Sequence, residues 1–247
     1  MGNPVLGQNS FNTSSFDSSL NSHAMSIGGA IGKTCLLTLF MAITFAYTWQ
    51  LQLAGFADKV GILSTVGAIG GLILALIITF APKNRFLAIT TTLYAMCEGL
   101  FLGSFSALVN SVYPGLASQA AIGTILTLVG MFVLYNTNII KCDDKFKKVV
   151  FISTFAVLGI YVLQMILSLF HLPTMGIFSN SLVGIGFSIV VVAIAAFNLI
   201  VDFDFIKQYS GQVPDYFEWY GGFALLVTIV WLYIEILDLL MKLQSRK

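Results

Sequence analysis

Seven apolar runs, each about 20 residues long, follow one another along this chain of 247 residues. As an α-helix, a run of that length crosses a bilayer core of about 30 Å. Only 9% of the residues are charged, against about 25% in a soluble domain, so the chain cannot cover its apolar surface with polar groups. The pattern predicts an all-α polytopic membrane protein, because a β-barrel would show short alternating segments instead.

Proline, glycine and charged residues separate the runs and set the ends of the predicted spans. The predicted spans are approximately 34–54, 60–80, 86–109, 117–136, 149–170, 181–203 and 219–241. Residues 1–30 are rich in Ser and Asn, and we expect a mobile polar arm there. They lack the basic start and early apolar core of a signal peptide, so no cleavage is expected. The domain organisation is therefore predicted as an arm, 1–30, and a transmembrane domain, 31–247.

Lysine and arginine in short loops predict the orientation, because they are enriched on the cytoplasmic side. With a cytoplasmic N-terminus and seven crossings, the inner face carries eight basic residues and the outer face four. The inner set is Lys33, Lys83, Arg85, Lys141, Lys145, Lys147, Lys148 and Lys207, and the outer set is Lys59, Lys242, Arg246 and Lys247. Three of the outer four lie in the last six residues, so a last segment that enters and returns is the alternative.

The usual catalytic and nucleotide-binding patterns are missing from the sequence. The stretch GGAIGKT at 28–34 has Ile27 where a phosphate-binding loop needs its first glycine. His23 and His171 lie outside the spans, so no histidine metal cluster or Ser-His pair is expected inside the membrane. We therefore expect no enzyme, no bound cofactor and no nucleic-acid partner.

Carboxylic acids within or at the end of the spans are the candidates for function. Ionisable groups at membrane depth are costly and usually face a bundle interior or a wet cavity. The acids in question are Glu98, Asp202, Asp204, Glu235 and Asp238. A carboxyl group that only hydrogen-bonds a neighbouring helix is the structural alternative for each of them.

The spacing of polar residues indicates which helix faces carry these acids. Spacings of three and four place residues on one face of a helix. In span 7 such a face would hold Thr228, Trp231, Glu235, Asp238 and Lys242. In span 6 it would hold Ser188, Val191, Ala195, Asn198 and Asp202.

Glu98 is the acid placed deepest in an otherwise apolar span. It would lie roughly 18 Å above Phe86, close to the height of Glu235, roughly 20 Å above Gly221. Gly99 and Gly103 form a G-x-x-x-G pattern that allows another helix to approach closely. We expect Glu98 to face the bundle interior near helix 7.

Several segments resemble the bacterial branch of the Bax inhibitor family, also called transmembrane Bax inhibitor motif proteins. They are YAMCEGLFLGSFS at 94–106, FNLIVDFDFIKQ at 197–208 and EWYGGFALLVTIVWLYIEILDLLMKL at 218–243. IGKTCLLTLFMAITFAYTW at 31–49 fits the opening helix of that branch. The resemblance covers roughly residues 30 to 243 and implies a seven-helix bundle with the last helix central.

The resemblance also implies a pH-sensitive calcium leak that is governed by two proton-sharing acids on helices 6 and 7. By motif these acids fall on Asp202 and on Glu235, where better-understood members carry Asp. The depth estimate places Asp202 lower than Glu235, so Asp204 or Glu98 remains open as the partner of one of them.

The predicted function is a cation leak channel in the bacterial inner membrane, with its N-terminus in the cytoplasm. Ca²⁺ prefers several oxygen ligands, and Glu98, Asp202 and Glu235 would supply carboxylates along its path. Paired carboxylates titrate as a unit. When these acids are ionised, Lys83 or Arg85 at the inner end could form an ion pair with them and close the path. The expected partners are the lipid bilayer, Ca²⁺ and protons. The alternative is a non-conducting membrane regulator that modulates a membrane protease or a stress or cell-death complex.

Overall fold

The structure is a computed structural model, and it describes residues 24–81, 86–172 and 176–246. Seven long α-helices account for most of these residues. They are α1 (Ile27–Leu53), α2 (Ala57–Phe80), α3 (Leu87–Val112), α4 (Leu116–Asn136), α5 (Asp144–Leu169), α6 (Leu182–Tyr209) and α7 (Phe217–Gln244). All seven are long and apolar enough to cross a membrane. The prediction of an all-α, seven-helix membrane protein is therefore confirmed.

The helices present large apolar side chains to their surroundings, as a protein surrounded by lipid does. Leu72 of α2, Leu126 of α4 and Ile152 of α5 are each more than 60% exposed. In water such a surface would be a liability, whereas in hydrocarbon it has no cost because lipid tails are equally apolar. The chain is an integral membrane protein.

The predicted spans agree with the helices to within seven residues, and the differences occur where helices extend beyond the apolar runs. Helix α1 begins at Ile27 because the side chain of Ser26 caps it, accepting a hydrogen bond from the Gly29 N–H at 2.9 Å. Asp143 caps α5 in the same way, with Phe146 N–H as donor at 2.7 Å. Residues 1–23, most of the predicted arm, lie outside the described residues.

The last helix is the most buried of the seven. In its most apolar stretch α7 is 56% buried, against 17% for α1, α2 and α5. Helices α6 and α7 each contribute to two compact units. The first unit includes Gly115–Phe203 and Thr228–Lys247, and the second includes Val5–Pro114 and Asp204–Val227. Helix α7 is continuous over 28 residues, whereas a segment that enters and returns needs a break.

In the second unit, α3 packs against α1 and α2. The G-x-x-x-G pattern faces α1, where a Cβ on Gly99 would collide with the carbonyl oxygen of Met41 and one on Gly103 with that of Phe45. The hydroxyl of Thr44 crosses this contact and donates to the carbonyl of Met96 at 3.0 Å. The predicted close approach is confirmed, and its partner is α1.

The start of α1 is tied to the loop that joins α6 and α7. Met25 is buried, and its N–H donates to the carbonyl of Val213 while its carbonyl accepts from the Gly211 N–H, both at 2.8 Å. The Ser26 N–H and hydroxyl both donate to Glu218 Oε1 at 3.0 Å. These contacts fix the first turn of α7 within the second unit.

Candidate functional site

The polar faces predicted for spans 6 and 7 meet within the first unit. Helices α6 and α7 are antiparallel there, since Asp202 bonds Thr228 near one end and Ser188 bonds Asp238 near the other. We call Thr228, Trp231, Glu235, Asp238 and Lys242 the α7 polar face. Three of its five members are almost fully buried: Thr228, Glu235 and Lys242 are at most 5% exposed.

Asp202 is fully buried and lies opposite Thr228. The Thr228 hydroxyl donates to Asp202 Oδ2 at 2.5 Å. A hydrogen bond to a carboxylate from a buried neutral donor stabilises the acid at a depth where water cannot reach it. Its side chain is therefore enclosed by protein.

Glu235 is also buried, at 4% exposure. The Tyr161 hydroxyl of α5 donates to Glu235 Oε1 at 2.7 Å, and the Trp231 indole N–H donates to the same oxygen at 2.9 Å. Both of these donors reach the same oxygen, Oε1. The ring of Tyr161 is in turn covered by Phe178 and Phe187, with ring centroids 5.6 and 6.5 Å away.

A polar cluster of Ser188, Asp238 and Lys242 lies near the end of α7. Lys242 Nζ is 2.7 Å from Asp238 Oδ2 and donates to Ser188 Oγ at 2.8 Å. The Ser188 hydroxyl donates to Asp238 Oδ2 at 3.1 Å. The lysine side chain is 6% exposed and that of Asp238 is 38% exposed, so the ammonium points inward and the carboxylate lies at the rim.

Asn198 adds a polar group one helical turn before Asp202. Its Nδ2 donates to Thr154 Oγ1 of α5 at 2.8 Å and to the Ile194 carbonyl at 2.9 Å. In the part of the chain that the structure describes, its buried Oδ1 has no hydrogen-bond partner. A buried acceptor without a donor is costly, so this atom is suited to a water molecule or a cation.

The carboxyl groups of Asp202 and Glu235 have donors at different heights on α7. Thr228, the donor to Asp202, lies seven residues before Glu235, which is two turns or about 10 Å along the axis. The depth difference estimated from the sequence therefore agrees with the structure. The arrangement is a row of acids along one face: Asp202 beside Thr228, then Glu235, then Asp238.

Glu98 lies in the second unit and is half-buried. A Cβ on Gly71 of α2 would be 3.1 Å from Glu98 Oε1, so the carboxyl group rests against that glycine. Tyr94, one turn earlier, interacts with Glu98 and packs edge-on against Phe223 of α7 at 4.8 Å. Tyr94 therefore contacts α7, whereas the Glu98 carboxyl group contacts α2, a neighbour that the sequence did not indicate.

Asp204, Lys83 and Arg85 are the remaining predicted site residues. Asp204 is half-buried and, two residues after Asp202, points away from it around the helix. Lys83 and Arg85, the predicted gating bases, lie outside the described residues. Within the described ranges, no three His, Cys, Asp or Glu side chains cluster closely enough to hold a metal ion.

Tyr161, Thr154 and Lys242 are the site residues whose roles sequence reasoning missed. Thr154 and Tyr161 are seven residues apart, so they share one face of α5, and this spacing was the available signal. Spacing placed Lys242 on the same face of α7 as Glu235 and Asp238, while the count of crossings placed it on the outer side. Nothing in the sequence shows that its ammonium turns inward toward Ser188.

Comparison with known proteins identifies the family. The family model described as Bax inhibitor 1 like matches residues 3–245. The chain belongs to the Bax inhibitor 1 like family. No curated protein and no solved structure gave a match.

Membership of the Bax inhibitor 1 like family confirms the resemblance in its main point. The matched region includes every helix of the bundle and all five acids of the predicted site. The bacterial branch stays a prediction, as do the ion and the pH response.

Proposed function

We propose that this protein is a pH-sensitive cation leak channel, with Ca²⁺ as the permeating ion. The observation that carries the proposal is the row of buried acids, in which Asp202 and Glu235 are at most 4% exposed. An acid at membrane depth is rare, and when it occurs it usually lies on an ion or proton path. Two such acids along one face suit passage of a cation better than they suit packing.

The oxygen atoms along this row suit Ca²⁺, which takes six to eight oxygen ligands in flexible geometry. Besides the carboxylates, Asn198 Oδ1 is a buried acceptor that lacks a donor among the described residues. A permeating ion must also leave each site, so ligands spread along a helix serve conduction better than one tight cluster.

Protonation supplies the gate in this proposal. A proton on Glu235 or Asp202 cancels the charge that attracts the cation and converts the acid into a hydrogen-bond donor. The charge that faces the path therefore depends on whether these acids carry a proton, and so on pH. The proposed location is a bacterial inner membrane, with the N-terminus in the cytoplasm.

The test is Ca²⁺ flux into liposomes that contain the purified protein, measured across a pH series. Glu235→Gln and Asp202→Asn keep the side-chain shape and remove the titration, so each should flatten the pH dependence of the flux. Asp58→Asn is the matched control, since Asp58 is an exposed acid in the first turn of α2. If both buried variants keep the parental pH profile, the proposal fails.

A non-conducting regulator of a membrane protease or a stress complex is the second candidate. It is favoured by the donors around each acid, since Thr228, Tyr161 and Trp231 are the partners that a purely structural carboxyl group would need. Absence of flux from protein that is folded in liposomes would favour this candidate.

We propose no enzymatic activity. The Ser188 hydroxyl and the Lys242 amine are 2.8 Å apart, as in a Ser-Lys hydrolase. Here, however, the amine is in an ion pair with Asp238, and the serine hydroxyl donates to the same carboxylate. An amine in that state has no electron pair to accept the proton of the serine.

A further inference from the structure

Lys242 is in an unusual position for a lysine in the last turn of a spanning helix. Such lysines ordinarily extend along the helix so that the ammonium reaches water at the interface. Lys242 is two residues from the end of α7, yet it is only 5% exposed and its ammonium contacts Ser188, six residues inside α6. A fixed positive charge therefore lies at one end of the row of acids.

Three elements place polar or charged groups around this end of the row. Asp238 and Glu235 lie on α7 itself, Ser188 comes from α6, and Tyr161 comes from α5. A cation that moves along the α7 polar face past Glu235 would next reach Asp238, whose carboxylate is paired with the ammonium of Lys242. Like charges repel strongly where little water screens them.

We propose that Ser188, Asp238 and Lys242 form a latch that closes this end of the cation path. The inference rests on the proposed function and names the regulation of the same site. In the closed state Asp238 is occupied by the lysine ammonium, and Ser188 holds that ammonium against α6. Opening replaces the lysine with the permeating cation at the Asp238 carboxylate, while the ammonium swings toward the helix end and water.

A purely structural role for the cluster makes a different prediction. If the cluster only joined α6 to α7 through Ser188, removing Lys242 or Asp238 would each remove one hydrogen bond to that serine, and both changes would move the flux in the same direction. A latch predicts opposite directions. Loss of the lysine removes a barrier and frees a cation ligand, whereas loss of the aspartate leaves the positive charge in place without its counter-ion.

The first experiment compares flux in Lys242→Met and Asp238→Asn liposomes. Lys242→Met keeps the length of the side chain and should raise Ca²⁺ flux about tenfold, because the repulsion is lost. Asp238→Asn should lower it. Lys59→Met, which removes an exposed lysine of α2, is the matched control and should conduct at the parental rate. A change of the Ca²⁺ flux in the same direction in Lys242→Met and Asp238→Asn would overturn the latch.

The second experiment tests the latch without measuring conduction. Val191 is fully buried and lies one turn from Ser188 on the same face of α6. The substitution Val191→Cys is made in a variant that lacks Cys35, Cys97 and Cys142, so that the new cysteine carries the only thiol. A charged, membrane-impermeant thiol reagent should label Val191→Cys slowly, and at least about tenfold faster when Lys242→Met is added. Equal labelling rates would overturn the latch. Faster labelling in protein that passes no Ca²⁺ would support the latch and reject the conduction proposal.

Discussion

Thr228 of α7 donates a 2.5 Å hydrogen bond to Asp202, a carboxylate of α6 that is fully buried. The bond joins the two helices that carry the row of acids, and both residues belong to the first unit. Because a buried carboxylate without adequate donors is strongly destabilising, this pair links the stability of the fold to the candidate site.

Replacing Thr228 with valine should therefore destabilise the protein. Valine keeps the shape of threonine but cannot donate, so the variant loses about 1–3 kcal/mol of unfolding free energy. Thr124→Val is the matched control, because Thr124 is equally buried and its hydroxyl donates to the Ala120 carbonyl of its own helix. Thermal melting in detergent measures both. Equal losses of unfolding free energy in the two variants would show that the hydrogen bond from Thr228 to Asp202 contributes no more than a hydrogen bond within one helix.

The close contact between α1 and α3 should be equally sensitive to a single methyl group. Gly103→Ala places a Cβ against the Phe45 carbonyl and the Thr48 hydroxyl, so the helices must separate at a cost of about 1–3 kcal/mol. Gly159→Ala serves as control, since a Cβ there meets nothing within 4 Å and alanine raises helix propensity by about 1 kcal/mol. Melting temperatures should move in opposite directions, down for Gly103→Ala and up or unchanged for Gly159→Ala.

Hydrophobic run length predicted the seven helices because lipid allows few other structures for a chain of this kind. The same reasoning predicted that Gly99 and Gly103 would permit close approach, but not that α1 would be the helix approaching. Spacing placed Glu235 and Asp238 on one face. It could not predict the Tyr161 donor or the inward turn of Lys242, because these depend on which helices are neighbours and on side-chain direction.

Asn198 provides a test of the cation path that is separate from the acids. Asn198→Leu removes the buried Oδ1, so Ca²⁺ flux in liposomes should fall severalfold if that atom is a ligand. Thr154→Val removes the acceptor for Asn198 Nδ2 and leaves Oδ1 in place, so this control should lose stability but retain flux. A parental flux in Asn198→Leu would remove Asn198 from the path.

The predicted topology can be tested by labelling single cysteines. In a variant without Cys35, Cys97 and Cys142, Lys145→Cys should react with an impermeant reagent from the cytoplasmic side and Leu172→Cys from the opposite side. Both positions are exposed, and α5 separates them. Labelling of both from one face would contradict the seven-span map, and labelling of each from the reversed side would contradict the orientation derived from the lysine and arginine distribution.

Glu98 provides the sharpest contrast between an ion ligand and a structural acid. Its carboxyl group rests against Gly71 of α2, a contact that a neutral amide could also make. If Glu98 lies on the permeation path, Glu98→Gln should fold normally and conduct Ca²⁺ poorly, and Glu98→Leu should not restore conduction. Removing a buried polar group can even stabilise the fold, so Glu98→Leu should melt at or above the parental temperature.

The structural account of Glu98 predicts the reverse pattern in the same two variants. The amide of Glu98→Gln would still form a hydrogen bond with Tyr94, so the flux would be kept. Glu98→Leu would melt at a lower temperature because that hydrogen bond is lost. Flux and melting temperature measured on one preparation of each variant therefore separate the two accounts. Flux that is unchanged in both variants would exclude Glu98 from the mechanism and leave conduction to the acids of α6 and α7.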